Sequence, residues 1–182
     1  MDIFRVSFIG HRVVDEYRKV EEELDEVIEL LHHKYGFIDF NVGRNGEFDE
    51  LATQAVRRFR REWEEWCELT LVEPYLVANL DIIEKSFDSV IIPTDRKCHY
   101  KAAIGERNKW LADNCDMMIV YIKRDYGGAY KYYKYTQKLG VPIMNIADNI
   151  KKQEWQTVDS KRFDFSFMGQ NGLKKSEKYA IT

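Results

Sequence analysis

Between Asp15 and Gly36 the apolar residues fall at Tyr17, Val20, Leu24, Val27, Ile28, Leu31 and Tyr35, spaced by three and four with acidic residues between them. That period predicts an amphipathic helix, and Gly36 supplies its C-terminal stop. Ahead of it, Ile3 to Ile9 is a short apolar run that reads as a strand ending in "GHR". Phe37 to Val42 reads as a second strand leading into "GRNGEFD". The next helix aligns Phe48, Leu51, Ala52, Ala55, Val56, Phe59, Trp63 and Trp66 on one face. Its charged run, "RRFRREWEEWCE", forms the solvated side, with Arg and Glu set for pairing four residues apart.

"CELTLVEP" reads as a third strand stopped by Pro74, and Tyr75 to Pro93 as a short helix followed by a strand at "DSVIIP". His99 to Asn114 is helical, Cys115 to Lys123 a strand, Gly128 to Leu139 helical, and Val141 to Ala147 a final strand. Strands that alternate with helices and are apolar nearly throughout imply a parallel sheet covered on both faces. The expected fold class is α/β: a three-layer Rossmann-like domain with a mostly parallel central sheet and right-handed crossovers. This domain takes residues 1–148. Residues 149–182 change character, alternating Phe163, Phe165 and Phe167, and read as a C-terminal extension that packs on the domain or is partly disordered.

The 182 residues, 45% hydrophobic with a net charge of -3, give no global attraction to a polyanion, so nucleic acid is not favoured as a partner. Cys67, Cys98 and Cys115 include no C-x-x-C pair. They read as free thiols in a reducing compartment, with neither a disulfide framework nor a zinc site. The N-terminus lacks the basic and long apolar regions of a signal peptide, and no run has the ~18–20 apolar residues of a membrane span. A cytoplasmic protein with no membrane partner is expected.

In open parallel sheets, ligands bind outside the carboxyl ends of the strands. Four such places carry small or polar residues: Gly10, His11 and Arg12; Gly43 to Asp49; "IPTD" with the downstream "HYKAAIGERNKW"; and "RDYGGAY". In the second, Gly43, Arg44 and Gly46 lead into a helix whose first turn holds Glu47 and Asp49. A glycine turn at a helix N-terminus suits a phosphate. The two carboxylates suit ribose hydroxyls or the helix's own cap. The spacing is not G-x-G-x-x-G, which disfavours a nicotinamide dinucleotide.

His11 beside Arg12 suits a phosphate or a polar ring edge, or else His11 bonds a neighbouring loop. Arg107 shares a helix face with His99, Ala103 and Trp110, with Asn108 off that face. It is either a guanidinium for a phosphate or carboxylate, or half of an ion pair with Asp116 or Glu106. Gly127 and Gly128 let backbone N–H groups approach an anion, and equally mark an ordinary turn. His32 and His33 sit near a helix C-terminus, and no metal-ligand cluster accompanies them.

The ordered set "FIGHR", "GRNGEFDELATQAV", "AAIGERNKWLADNCDMMIVYI" and "RDYGGAYKYYKYTQKLGVPIMNI" resembles the YpsA-like branch of the SLOG superfamily over about residues 3–147. That superfamily also holds DprA-like DNA-processing proteins and the LOG phosphoribohydrolases. The resemblance implies a Rossmann-like domain that senses or sequesters a nucleotide or nucleotide derivative. Gly10, His11, Arg12, Gly43, Arg44, Gly46, Asp49, Arg107, Asn108, Gly127 and Gly128 would line its site, with Tyr126 or Tyr130 stacking on the base.

It also implies a homodimer or larger assembly. No cofactor is required and no metal is indicated, although a nucleotide could bring Mg²⁺. LOG enzymes pair an arginine with the glutamate of P-G-G-x-G-T-x-x-E for N-glycosidic cleavage. Arg107 stands at the matching arginine, but Lys131 to Lys134 occupy the glutamate's place, so a non-catalytic binder is the leading expectation. The alternatives are an N-glycosidase or phosphoribohydrolase using Glu47, Asp49 and Arg107, and a DprA-like single-strand binder using the tyrosines with Lys131 and Lys134.

Overall fold

The computed structural model describes residues 3–94 and 99–156. Six strands form one sheet: β1 (Phe4–Gly10), β2 (Ile38–Val42), β3 (Cys67–Val72), β4 (Ser89–Ile91), β5 (Met117–Tyr121) and β6 (Ile143–Asn145). The order is β4-β3-β2-β1-β5-β6, and every neighbouring pair is parallel. Between and after them run α1 (Tyr17–Tyr35), α2 (Glu47–Trp63), α3 (Leu80–Glu84), α4 (Tyr100–Asp113), α5 (Gly127–Leu139) and α6 (Ile146–Gln156). This is the expected Rossmann-like α/β fold.

Alternation along the strands sorts the core into two layers. Val6, Phe8, Phe40, Leu69, Leu71, Ile119 and Tyr121 face Leu24, Ile28, Phe48, Leu51 and Val56 of α1 and α2, together with Ile150 of α6. Ile9, Met118, Val120 and Ile122 face Leu111 and Ala112 of α4 and Tyr132 of α5. The chain therefore leaves the centre of the sheet leftwards over one face and rightwards over the other, as right-handed crossovers require. Beyond the reach of α4 and α5, the second face is polar. Register aligns Ser7, Asn41, Thr70 and Ser89 across four strands, and Thr70 Oγ1 bonds Asp39 Oδ1 at 2.9 Å and meets Ser89 Oγ at 3.0 Å.

Two elements differ from the reading of the sequence. The last apolar run is a strand only over Ile143–Asn145, and Ile146 opens α6. Asn145 makes this possible: its Oδ1 accepts the Ile122 N–H at 3.0 Å and its Nδ2 donates to the Ile122 carbonyl at 3.1 Å. The side chain thus replaces the next step of the ladder, and the backbone turns into a helix that buries Ile146, Ala147 and Ile150. The helix crosses the change of character near residue 148; Phe163, Phe165, Phe167 and Cys98 lie outside the described residues.

The second difference is in the arginines of α2, which pair across elements instead of along the helix. Arg58 grips Asp25 and Glu21 of α1, Arg60 meets Asp88, and Arg57 lies over the Phe87 ring. A pair along the helix would leave these carboxylates without the cation that spans the α1–α2 groove. His32 is buried among Phe59, Trp63 and Trp66, with Nδ1 at 3.1 Å from the Gly36 carbonyl.

Phe48 anchors the start of α2. It is fully buried and stacks at 5.8 Å on Tyr121 of β5, tying a helix of one half to a strand of the other. Phe48→Ala is expected to lower the unfolding free energy by about 3–5 kcal/mol in urea titration.

Candidate functional site

β1 and β5 are neighbours whose onward connections leave over opposite faces, so their carboxyl ends bound a crevice that no crossover fills. A cavity of about 350 Å³ lies there, lined by the loops after β1, β2 and β5 and by the inner face of α4. Of the expected residues, Gly10, His11, Arg12, Gly46, Asp49, Arg107, Asn108, Tyr126, Gly127 and Gly128 all reach it.

The loop after β1 is locked to α2 by a reciprocal pair of bonds. The Glu47 N–H donates to the Arg12 carbonyl at 2.8 Å, and Glu47 Oε2 accepts the Val14 N–H at 2.7 Å. The approach is so close that a Cβ on Gly46 would lie 2.8 Å from Arg12 Cα. Gly46 is needed for the contact between the loops. On the far side, Lys123 after β5 binds Glu16 at 2.9 Å, and the Tyr121 hydroxyl donates to the Asp15 carbonyl. Lys123, with Lys19, lowers the pKa of the Glu16 carboxyl to about 2, and Glu16 itself sits in the left-handed region at φ 62°.

Arg107 and Asp49 form a buried pair inside the cavity, Nη1 to Oδ2 at 3.5 Å, with side chains 6% and 9% exposed. Asp116 and Glu106 are not Arg107's partners; Asp116 accepts the Arg5 N–H instead. Asp49 Oδ2 also accepts the Asn45 N–H at 2.9 Å. Gly43 lies behind the pair, where an added Cβ would stand 1.8 Å from Arg107 Nη1. Gly43 therefore makes room for a guanidinium and does not line the cavity. Arg107 Nε and Asn45 Nδ2, both shielded from water, have no hydrogen-bond partner.

Arg44 and Tyr130 also lie off the cavity. Arg44 turns away to Glu73, a buried carboxylate 2.6 Å from its Nε. Tyr130 packs against Tyr133 at 6.0 Å between ring centroids. Glu47 is spent on Val14 and does not line the cavity.

The reading of the sequence passed over Asn45 and Arg124 as single residues, although both stand inside the motifs it used. Arg124 joins Arg12 as a second exposed cation at the mouth; among the described residues neither has a carboxylate partner. α5 begins at this mouth. Gly127 takes φ +91°, Gly128 has nothing within 4 Å of an added Cβ, and no acidic residue stands in the first turn. α2, by contrast, opens with Glu47, Asp49 and Glu50. An anion is therefore favoured at α5 and repelled from α2.

A wider depression of about 600 Å³ lies beside β6, but its charged residues are one of each sign, Asp148 and Lys152. Burial pushes the Cys67 and Cys115 thiols up to about pH 11, which keeps them neutral and unreactive. Among the described residues, no group of three or more His, Cys, Asp or Glu is placed to hold a metal, and no helix is long and apolar enough to cross a membrane.

No family model and no curated protein matches the chain. Among solved structures it is similar to DNA processing protein A (DprA) from Streptococcus pneumoniae, with a TM-score of 0.59 and 14% identity over 78% of this chain and 49% of that one. The chain thus spans about half the length of that protein. The Moco carrier protein of Chlamydomonas rheinhardtii is similar at a TM-score of 0.49 and 10% identity, over 88% of this chain and 86% of that one. The likeness to DprA establishes a shared Rossmann-like fold.

His11 links the two loops at the mouth: its Nε2 accepts the Arg124 N–H at 3.1 Å. Only the neutral ring accepts there. Burial, then the Arg124 charge, lowers the His11 pKa below 6.5 against an opposing pull from Asp15. The unfolded chain takes the proton first, so the stabilisation is complete above pH 6.5 and is lost as pH falls through the folded value. The His11 ring, followed by NMR, is expected to titrate below 6.5, with the Arg124 amide shifting at the same midpoint; a midpoint at or above 6.5 refutes the link.

Proposed function

We propose that the chain binds a nucleotide or nucleotide derivative in this cavity without cleaving it, as a sensing or sequestering protein of the YpsA-like SLOG type. The observation that carries the reading is the mouth of the site. A helix N-terminus with no acidic residue in its first turn and an open glycine turn faces the same space as two exposed cations, Arg12 and Arg124, neither with a carboxylate partner among the described residues. Two positive charges and free N–H groups match a phosphomonoester dianion. Tyr126, 64% exposed at the rim, offers a ring for a base. Any Mg²⁺ would enter with the nucleotide's own phosphates.

The binding reading is favoured over hydrolysis because both candidate carboxylates are engaged. Glu47 holds a backbone N–H, and Asp49 holds Arg107 and the Asn45 N–H. Neither is free to activate a water or support an oxocarbenium ion. The single-strand reading is weakened at α5, where Tyr132 is buried in the core and Tyr130 and Tyr133 pack on each other. Stacking platforms for successive bases need exposed rings.

Nucleoside 5′-monophosphates at a hundredfold Kd are expected to raise Tm by roughly 5–10 °C, the equivalent of about 2.7 kcal/mol. No free base should be released. Gly128→Asp, which adds a carboxylate where the fold has open space, should abolish the shift while leaving the unliganded Tm within about 2 °C. Base release that disappears in Asp49→Asn would overturn the non-catalytic reading, and no shift with any nucleotide would overturn binding.

A further inference from the structure

The pocket has two ends of different electrostatic character. At the mouth, Arg12 and Arg124 are exposed, and among the described residues neither has a carboxylate partner. At the deep end a buried cation, Arg107, already faces a buried carboxylate, Asp49, at 3.5 Å. Their charges cancel, yet their hydrogen bonding is incomplete. Arg107 Nε lacks an acceptor in a residue only 5% exposed, and Nδ2 of Asn45, whose backbone N–H meets Asp49, lacks one too.

Buried donors without acceptors are destabilising, so this end favours a ligand atom with lone pairs. An anionic atom would meet the Asp49 carboxylate within a few ångströms. At an effective dielectric near 20, such a like-charge contact costs about as much as the Arg107 attraction returns. A hydroxyl or carbonyl oxygen incurs no such repulsion.

Resting on the nucleotide reading above, we propose that Asp49 is a specificity-determining residue. By neutralising Arg107 it makes the deep end a subsite for an uncharged hydroxyl- or carbonyl-bearing group, so that the pocket takes one phosphate and rejects a second. Gly43 is the positioning residue behind it: any side chain there would drive the guanidinium out of the pair. The deep end is then suited to the sugar or base of a phosphorylated nucleoside, and ill suited to a second phosphate.

The test compares the 5′-monophosphates of adenosine, guanosine, cytidine and uridine with their 2′,5′- and 3′,5′-bisphosphates by titration calorimetry on the full chain. The wild type should bind each bisphosphate about tenfold or more weakly than the matching monophosphate. In Asp49→Asn, which preserves shape and an acceptor for the Asn45 N–H, that gap should shrink by about tenfold or reverse. Bisphosphates that bind the wild type as tightly as monophosphates would overturn the inference, as would an unchanged ratio in a folded Asp49→Asn chain. If the variant does not fold, the wild-type ratio decides alone. Failure of all monophosphates to bind would remove the nucleotide reading itself and this inference with it, whereas binding with the wrong ratio removes only this inference.

Discussion

The architecture depends on one steric constraint: β1 is paired on both sides, and its two neighbours send their onward connections over opposite faces of the sheet. The onward connections of β1 and β5 leave over opposite faces, so neither closes over the space between the two strand ends, and α4, crossing from β4 to β5, walls it on one side. The gap at the end of β1 is therefore a property of the topology before any side chain is placed. The loops around it are then drawn together by specific contacts. Glu47 reaches to Val14, Lys123 to Glu16, Phe48 to Tyr121, and His11 to the Arg124 amide. The last three join one side of the crevice to the other, so the cavity is held at a defined width instead of being left to loop motion.

Within that frame, polarity is divided by depth. Breaking a buried ion pair by removing one partner typically costs several kcal/mol, since the remaining charge is stranded. Arg107 and Asp49 are thus committed to each other, and the space for their contact comes from a residue without a side chain, Gly43. The cations at the mouth carry no such commitment. A phosphate bound there would replace water around Arg12 and Arg124 without dismantling anything already formed. The exposed end of the pocket can therefore respond to a ligand while the buried end holds still.

Much of this was legible in the sequence because it rests on local periodicity. The spacings from Tyr17 to Tyr35 and from Phe48 to Trp63 are those of helices buried on one face, and the strand ends follow from the apolar runs. The site's neighbourhood followed in turn, since ligands gather at strand carboxyl ends whatever the residues. What escaped was pairing between elements. Nothing in the spacing of "GRNGEFD" says that Arg44 turns to Glu73 while Asp49 meets an arginine on α4. Glycine is equally ambiguous, since Gly43, Gly46 and Gly127 look alike as letters. One yields to a guanidinium, one to a neighbouring backbone, and one to a positive φ. Asn145 misled for a related reason: its side chain stands in for backbone, so the strand ends where the apolar run continues.

The central place of β1 also bears on how the chain is made. Its first partner, β2, follows within thirty-odd residues, but its second, β5, lies more than a hundred positions downstream, with Arg5 and Asp116 meeting across that gap. At ribosomal speeds of about 5–20 residues per second, one edge of β1 waits roughly 5–20 seconds for its neighbour to be synthesised. Throughout that interval Val6, Phe8 and Ile9 belong to an open edge of the kind that templates wrong pairings. The same long separation that creates the crevice makes its completion a late event in the life of the nascent chain.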